Sequence, residues 1–260
     1  MPQNLLPLLR EQLGFSLDEV AMAAGFSRSH LQEIERTEQV DETEIDTLSR
    51  LYGTDVETML VEGTLRPSPL RLLLKAQSDM LDAQSRFIIA ESADIARKIK
   101  KLGDILNKKS SYAQVSSFQT HPDYNHPKEG VPEALAQQVR DRLKLGAVIP
   151  SLCQDIIEPL GIVVLWGKLP PYIDAFSMVS EETGAVIVGN IEGTHMRSAA
   201  GRRITFAHEI CHLLFDRPKM QEMTRFCEIT RSKKRRTDSM EEIERRARAF
   251  AVWLLLPREA

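Results

Sequence analysis

The chain has 260 residues, of which 42% are hydrophobic and 27% are charged, and its formal net charge is −3. This composition is typical of a soluble globular protein and leaves room for two modest domains. No apolar run approaches the roughly twenty residues of a membrane span, and the N-terminus lacks the pattern of a signal peptide. The sequence therefore predicts a cytoplasmic protein without a membrane partner. Three cysteines without a CxxC spacing argue against a disulfide framework.

Residues 4–62 have the pattern of five short helices, each bounded by Gly, Ser, Thr or Asp of capping type. The second and third helices are joined around Gly25, and their apolar positions are Val20, Ala21, Phe26, Leu31 and Ile34. This pair resembles the helix-turn-helix of the XRE/Cro family of phage-type repressors. The resemblance implies a recognition helix over Ser27–Glu35 and predicts DNA and a homodimer as partners. The base-facing candidates are then Arg28, Ser29 and Gln32.

The charge of this head opposes DNA binding. Through residue 62 it contains four arginines and thirteen acidic residues, a net charge near −9. Phosphate neutralisation supplies most of the affinity of a DNA-binding domain, and an acidic surface repels phosphate. Two interpretations stay open, namely a DNA-binding head, or a helix-turn-helix reused for dimerisation or for docking a basic protein.

We place the helix-turn-helix domain at residues 1–64, a linker at 65–131 and a second domain at 132–260. Within the linker, Leu70–Asn107 contains no proline and repeats Leu, Met, Ile and Ala at helical spacing, which predicts one or two long helices. The basic end of this segment suggests a solvated linker helix, with a dimer arm or a DNA-backbone contact as alternatives. Residues 110–132 are rich in Ser, Pro and His and predict a flexible boundary.

The second domain combines predicted helices and strands. Two helices are expected at Pro132–Leu143 and Ser151–Leu160. Three short β-branched runs follow at residues 161–166, 174–180 and 184–190, and Gly and Pro bound them. They predict a small sheet, so the chain as a whole is expected to be α+β.

A helix over residues 202–214 is predicted to carry the chemistry. His208 and His212 are four residues apart on one face, with Glu209 beside them, which is the HExxH arrangement. Two neutral imidazoles at this spacing can bind one Zn²⁺, and an adjacent carboxylate can take a proton from a water that the ion acidifies. The segment is too apolar for a surface helix, and a dication would supply the partner charge that buried polar groups need.

Zinc needs a third protein ligand, and the last predicted helix, Ser239–Leu256, offers one. The apolar stripe of that helix consists of Met240, Ile243, Ala247, Phe250, Ala251, Leu254 and Leu255. Glu244 borders this stripe, whereas Glu241 and Glu242 lie on the polar side. Glu244 is therefore our predicted third ligand, and the alternative is an ordinary intrahelical partner of Arg248.

Two motifs together resemble the ImmA/IrrE family of bacterial and phage zinc metallopeptidases. The first is RRITFAHEICHLLFD, and the second is ExxAxxFAxxLLxP, which begins at Glu244 and ends at Pro257. The resemblance covers about residues 133–257 and implies a zincin-like metallopeptidase fold with a small sheet beside the HExxH helix. It also implies that Glu209 is the catalytic base and that the zinc ligands are His208, His212 and Glu244.

The usual substrates that the resemblance implies are DNA-binding repressors, which are cleaved to switch on stress, phage or mobile-element genes. The sequence thus predicts a zinc-dependent endopeptidase that acts on a repressor or a similar regulatory protein. Two rival functions are a non-proteolytic helix-turn-helix transcriptional regulator and an antitoxin-like interaction protein, each with a zinc-binding sensory domain.

Three further features bear on the site. The chain has Arg246-Ala247-Arg248 where the family often has acid-Ala-Asn, a departure that concerns the hydrogen bonds around the zinc ligands. His195 and Arg197, in the loop before the zinc helix, are candidates for stabilising the oxyanion. Residues 231–236 include five cations and predict a solvated loop, with a lid, a nucleic-acid contact or a self-cleavage site as alternatives.

Overall fold

The computed structural model describes residues 5–63, 81–119, 130–216, 225–228 and 238–257. These residues form two compact units, one that ends at Lys98 and one that begins at Ile99. The first unit is helical, and the second combines helices with a four-stranded sheet, which confirms the predicted α+β class. Within the described ranges, no helix is both long enough and apolar enough to cross a bilayer.

The first unit contains the five short helices that were predicted for the head. They are α1 Leu5–Gln12, α2 Leu17–Ala24, α3 Arg28–Thr37, α4 Glu42–Tyr52 and α5 Val56–Glu62. The apolar residues that are buried in these helices and in the turn after α1 include Leu6, Leu9, Leu13, Val20, Leu31, Ile34, Leu48 and Tyr52.

The turn between α2 and α3 follows from its capping residues. Ser16 and Glu19 form a capping box at the start of α2, which satisfies backbone N–H groups that the helix leaves open. Gly25 ends α2 in the left-handed region at φ 71°, a conformation that costs glycine little. Ser27 then caps α3 by accepting a hydrogen bond from the His30 N–H. Only three residues therefore separate the two helices.

Helix α6, Ala83–Ile105, lies in the segment that the sequence assigns to a long linker helix. The expectation of a solvated helix is wrong for its first part, which packs on the head. The rings of Phe87 and Phe15 stack with centroids 4.2 Å apart, and buried Arg86 donates a 2.9 Å hydrogen bond to Glu19. The periodicity indicates the helix, but it does not indicate which distant partner covers it. Residues 70–80 of the predicted helix lie outside the described residues.

The second unit begins within α6, and its described residues include four further α-helices and four strands. They are α7 Ser111–Ser116, α8 Val131–Leu143, β1 Val163–Gly167, β2 Ile173–Ser180, β3 Gly184–Asn190, α9 Ala199–Phe215, β4 Arg225–Glu228 and α10 Asp238–Leu255. The strands lie in the order β1-β3-β2-β4, with β1 parallel to β3 and β2 antiparallel to both β3 and β4. A π-helical turn over Leu152–Ile157 replaces the longer helix predicted at Ser151–Leu160.

Part of the predicted flexible boundary belongs to this unit. Helix α7 brings Val115 and, just after it, Phe118 into the main core, where both are buried. The Ser111 hydroxyl accepts a 3.0 Å hydrogen bond from the Ala185 N–H on β3. Two apolar residues in a polar stretch therefore anchor residues that composition alone assigns to a boundary. The domain limits set from the sequence stay a prediction.

The central helix α9 is enclosed by its neighbours. It packs against β2 and β3 on the sheet side and against α10, which in turn packs against α8. Apolar residues of all these elements form one continuous core around it. Because α9 and α10 share this core, their facing side chains are held at fixed positions.

Candidate metal centre

Helix α9 carries the HExxH segment into the interior. Ser198 caps its N-terminus, since the Ser198 hydroxyl accepts a 2.9 Å hydrogen bond from the Gly201 N–H. Every residue from Thr205 to Phe215 is buried, including both histidines and Glu209. Burial of three ionisable groups on one helix is costly unless they have partners or a bound ion, which makes this the principal candidate site.

Two imidazoles and one carboxylate converge at this point. The Nε2 atoms of His208 and His212 are 2.9 Å apart. Glu244 places Oε2 at 3.2 Å from His208 Nε2 and Oε1 at 3.6 Å from His212 Nε2. Two ligands that each lie about 2.1 Å from a shared tetrahedral zinc ion are about 3.4 Å apart. The spacing and the donor types therefore fit zinc, and the described residues contain this group as a potential metal site.

Glu244 owes its position to the packing of α10. The buried residues Ala247, Phe250 and Ala251 face α9, and the rings of Phe250 and Phe215 contact each other with centroids 5.8 Å apart. This packing turns the Glu244 side chain inward, where 9% of it is exposed, whereas Arg248 is exposed. The structure thus brings together the three residues selected from the sequence. Their role as ligands stays a prediction.

Asp216 and Arg246 hold the far side of His212. The Nδ1 atom of His212 lies 2.6 Å from Asp216 Oδ2, and Arg246 Nη2 donates a 2.7 Å hydrogen bond to Asp216 Oδ1. Asp216 follows His212 by four residues on one helix, a spacing at which side chains meet. It contacts the nitrogen that faces away from Glu244, so Nε2 of the same imidazole remains directed at His208 and Glu244.

Glu209 is buried beside this group, with an exposed fraction of 0%. Burial raises the pKa of its carboxyl, and the imidazoles of His212 and His208 offset that rise only in part. Ser177 on β2 is close enough to act on the same carboxylate. Nevertheless, neither Glu209 oxygen has a hydrogen-bond partner of good geometry among the described residues. A buried carboxylate usually accepts a hydrogen bond, and at this position the donor could be a water molecule or a substrate.

The charge of His212 depends on its carboxylate neighbours. Burial by itself lowers the pKa of His212, but the hydrogen bond that its imidazole donates to Asp216 and the negative charges of Asp216, Glu244 and Glu209 outweigh burial and raise that pKa to about 9. Without a metal, the imidazole is therefore protonated at neutral pH. A dication that binds Nε2 must displace this proton.

The oxyanion candidates lie at the start of α9. His195 belongs to a 3₁₀ turn, His195–Arg197, and its Nδ1 is 2.8 Å from Oδ2 of the buried Asp174. The backbone N–H of His195 donates to the other oxygen of Asp174 at 2.8 Å. Asp174 therefore anchors the turn that leads into α9. An oxyanion role for His195 and Arg197 stays a prediction.

The predicted base-facing residues Arg28, Ser29 and Gln32 are exposed on α3. Nη1 of Arg28 lies 2.8 Å from each carboxylate oxygen of Asp18. Each of the other three head arginines also lies within salt-bridge distance of a carboxylate, in the pairs Arg10–Glu35, Arg36–Glu33 and Arg50–Glu91. The basic segment at residues 231–236 lies outside the described residues.

Sequence reasoning missed three residues that contact the site. Asp216 was assigned no role, and its spacing from His212 could have identified it as a partner. Arg246 was noted only as a departure from the family pattern. Ser177 carries no local signal, because its position beside Glu209 depends on strand β2 packing against α9.

Comparison with known proteins assigns both ends of the chain. Residues 4–60 match the family model described as a helix-turn-helix domain, and residues 193–260 match the one described as an IrrE N-terminal-like domain. No curated protein and no solved structure matches the chain. The two segments match the architecture of an XRE-like helix-turn-helix domain plus an ImmA/IrrE domain.

Proposed function

We propose that this protein is a zinc-dependent endopeptidase that cleaves a transcriptional repressor or a similar regulatory protein. The helix-turn-helix and IrrE-like matches support a regulatory, metallopeptidase-like protein. One observation carries the finer assignment: buried Glu209, whose oxygens lack a hydrogen-bond partner among the described residues, lies beside the His208, His212 and Glu244 group. The roles of these four residues follow from their positions.

His208 and His212, each through Nε2, and the carboxylate of Glu244 would hold the ion. A bound zinc ion supplies a Lewis acid for the peptide carbonyl and lowers the pKa of a water molecule. Glu209 accepts the proton of the attacking water on a carboxylate oxygen and later donates it to the leaving amine. Burial raises the pKa of Glu209 above its ordinary value. A general base is most efficient when its pKa lies near the working pH, so this shift favours proton transfer at neutral pH.

The test is Glu209→Gln in the full chain, loaded with zinc and co-expressed with the products of neighbouring genes. We expect unchanged zinc content and thermal unfolding, with cleavage of the substrate reduced roughly 10²–10⁴-fold, because a general base contributes about that much. Glu241→Gln, an exposed position on α10, is the matched control and should cut like the wild type. Cleavage by Glu209→Gln at the wild-type rate would disprove the mechanism.

The second candidate function is a DNA-binding regulator whose metal site does not catalyse proteolysis. The helix-turn-helix match and the exposed Arg28, Ser29 and Gln32 favour it, whereas the acidic charge of the head opposes it. A gel-shift titration of the full chain with salt separates the two. Phosphate contacts weaken steeply as salt rises, so salt-sensitive binding without any cleavage of a co-expressed protein would favour the regulator.

A further inference from the structure

Arg246 points inward although the two arginines that flank it on α10 do not. Its side chain is 10% exposed, whereas Arg245 and Arg248, one residue before and two after, are exposed. Burial of a guanidinium is unfavourable unless a carboxylate compensates it. Asp216 does so, with 0% of its side chain exposed and a distance of 2.7 Å between Arg246 Nη2 and Asp216 Oδ1. The ion pair with Asp216 therefore accounts for the burial of the Arg246 side chain.

The pair continues into the metal centre. The second oxygen of the same carboxylate, Asp216 Oδ2, lies 2.6 Å from His212 Nδ1. A buried ion pair is weak evidence for stability, because a well-packed apolar pair often serves as well. Here, however, the carboxylate of the pair contacts Nδ1 of His212, the ring nitrogen that is turned away from His208 and Glu244. Its connection to that imidazole points to a role at the site.

We propose that Arg246 is a positioning residue for the metal centre and acts through Asp216 on His212. The guanidinium fixes the Asp216 carboxylate, which in turn fixes the tautomer and the orientation of the imidazole. This inference rests on the proposed metal site. Because Arg246 follows Glu244 by two residues, one helix contributes a ligand and also orients a second ligand on α9. The two helices are thereby joined at two charged contacts, Glu244 to the imidazoles and Arg246 to Asp216.

Loss of Arg246 is expected to release Asp216 and with it the ring of His212. Removal of a partner of a metal-ligating histidine typically weakens metal binding about 10–100-fold. Arg246→Met retains the apolar stem that packs at the helix interface but removes the charge. Arg246→Lys retains a cation that can reach Asp216, so its loss of affinity should be smaller.

The experiment measures zinc affinity of the full chain by competition with a chelator of known affinity. The variants are Arg246→Met, Arg246→Lys, Asp216→Asn and the double variant Arg246→Met with Asp216→Asn. Arg248→Met, at an exposed position on the same helix, is the matched control. Thermal unfolding of each metal-free variant shows whether it folds, and absorption of the cobalt-loaded proteins reports the geometry of the ligands.

We expect zinc binding roughly 10–100-fold weaker in Arg246→Met, a smaller loss in Arg246→Lys and no change in Arg248→Met. The double variant should bind no more weakly than Asp216→Asn alone, since Arg246 acts only through that carboxylate. The cobalt spectrum should change in Arg246→Met and not in Arg248→Met. Wild-type affinity in Arg246→Met, or losses that add in the double variant, would overturn the inference.

The result also separates this inference from the proposed function. If the losses in zinc affinity are coupled as expected but no co-expressed protein is cleaved, the positioning role of Arg246 stands and the endopeptidase proposal fails. If cleavage depends on Glu209 but Arg246→Met binds zinc like the wild type, the endopeptidase proposal stands and the role of Arg246 fails. If the wild-type chain does not bind zinc, both fail.

Discussion

The head and the candidate metal centre each contain an arginine–aspartate pair, and the two pairs differ in exposure far more than in the distance between the charged atoms. Arg28 and Asp18 are 2.8 Å apart, with 61% and 63% of their side chains exposed. Arg246 and Asp216 are 2.7 Å apart, with 10% and 0% exposed. Water and salt screen the first pair, so it is expected to contribute little. The second cannot be broken without leaving a buried charge. The two pairs are therefore expected to differ in their contribution to stability because of their exposure, although their distances are nearly equal.

The largest effect is expected from the third candidate ligand. Glu244→Ala removes one of three converging donors, so zinc binding measured by chelator competition should weaken by more than about 100-fold, beyond the loss typical of an outer partner. Glu241→Ala changes an exposed acid on the same helix and should leave zinc affinity unchanged. Equal affinities for Glu244→Ala and the wild type would remove Glu244 from the site.

The residues of the candidate site could be selected from the sequence because the signals for them are local. The spacing of His208 and His212 defines one helix face, and the apolar stripe of the last helix separates Glu244 from Glu241 and Glu242. In the structure, one potential ligand atom of each of these three residues lies within 4.8 Å of the others. Helix ends in the head were likewise predictable, because Ser16 and Gly25 are capping residues that act within a few positions.

Contacts between distant segments were not predictable in the same way. Periodicity indicated the helix that became α6, but nothing local indicates that Phe87 stacks on Phe15. Nor could the sequence show that Arg246 turns toward Asp216 while Arg248 faces solvent, since both belong to the same charged run. These choices depend on which elements pack together, and that is decided by the whole core.

A smaller effect is expected from pH. His212 has a pKa of about 9 in the metal-free protein, and zinc must displace its proton. Apparent zinc affinity should therefore rise up to about tenfold per pH unit as pH increases toward 9, and then level off. The stability of the metal-free protein should change with the opposite sign. The raised pKa stabilises the fold fully below the ordinary value of 6.5, and that contribution is lost as pH rises through 9.

Asp216→Asn is the control for this pH dependence. The variant removes the carboxylate that raises the pKa of His212, so both trends should move to lower pH. Zinc affinity is measured by chelator competition between pH 6 and pH 9, and metal-free stability by thermal unfolding over the same range. A zinc affinity that does not vary with pH in the wild type would show that His212 is not protonated before the metal binds.

The smallest effect is expected from the exposed pair in the head. Arg28→Ala should change the free energy of unfolding by less than about 0.5 kcal/mol, since surface ion pairs contribute little. Chemical denaturation of the full chain measures this, and a loss above about 1 kcal/mol would contradict the contrast with the buried pair.

The same pair also tests what the head binds. Asp18→Asn removes a negative charge and leaves Arg28 without its carboxylate, so a head that binds DNA through α3 should bind a few-fold more tightly and lose that gain as salt rises. A head that docks a basic protein should respond in the opposite direction, because it loses an acid from its surface. A tighter, salt-sensitive gel shift for Asp18→Asn therefore supports a DNA-binding head, and the absence of this gain argues against it, even though the change in stability is small.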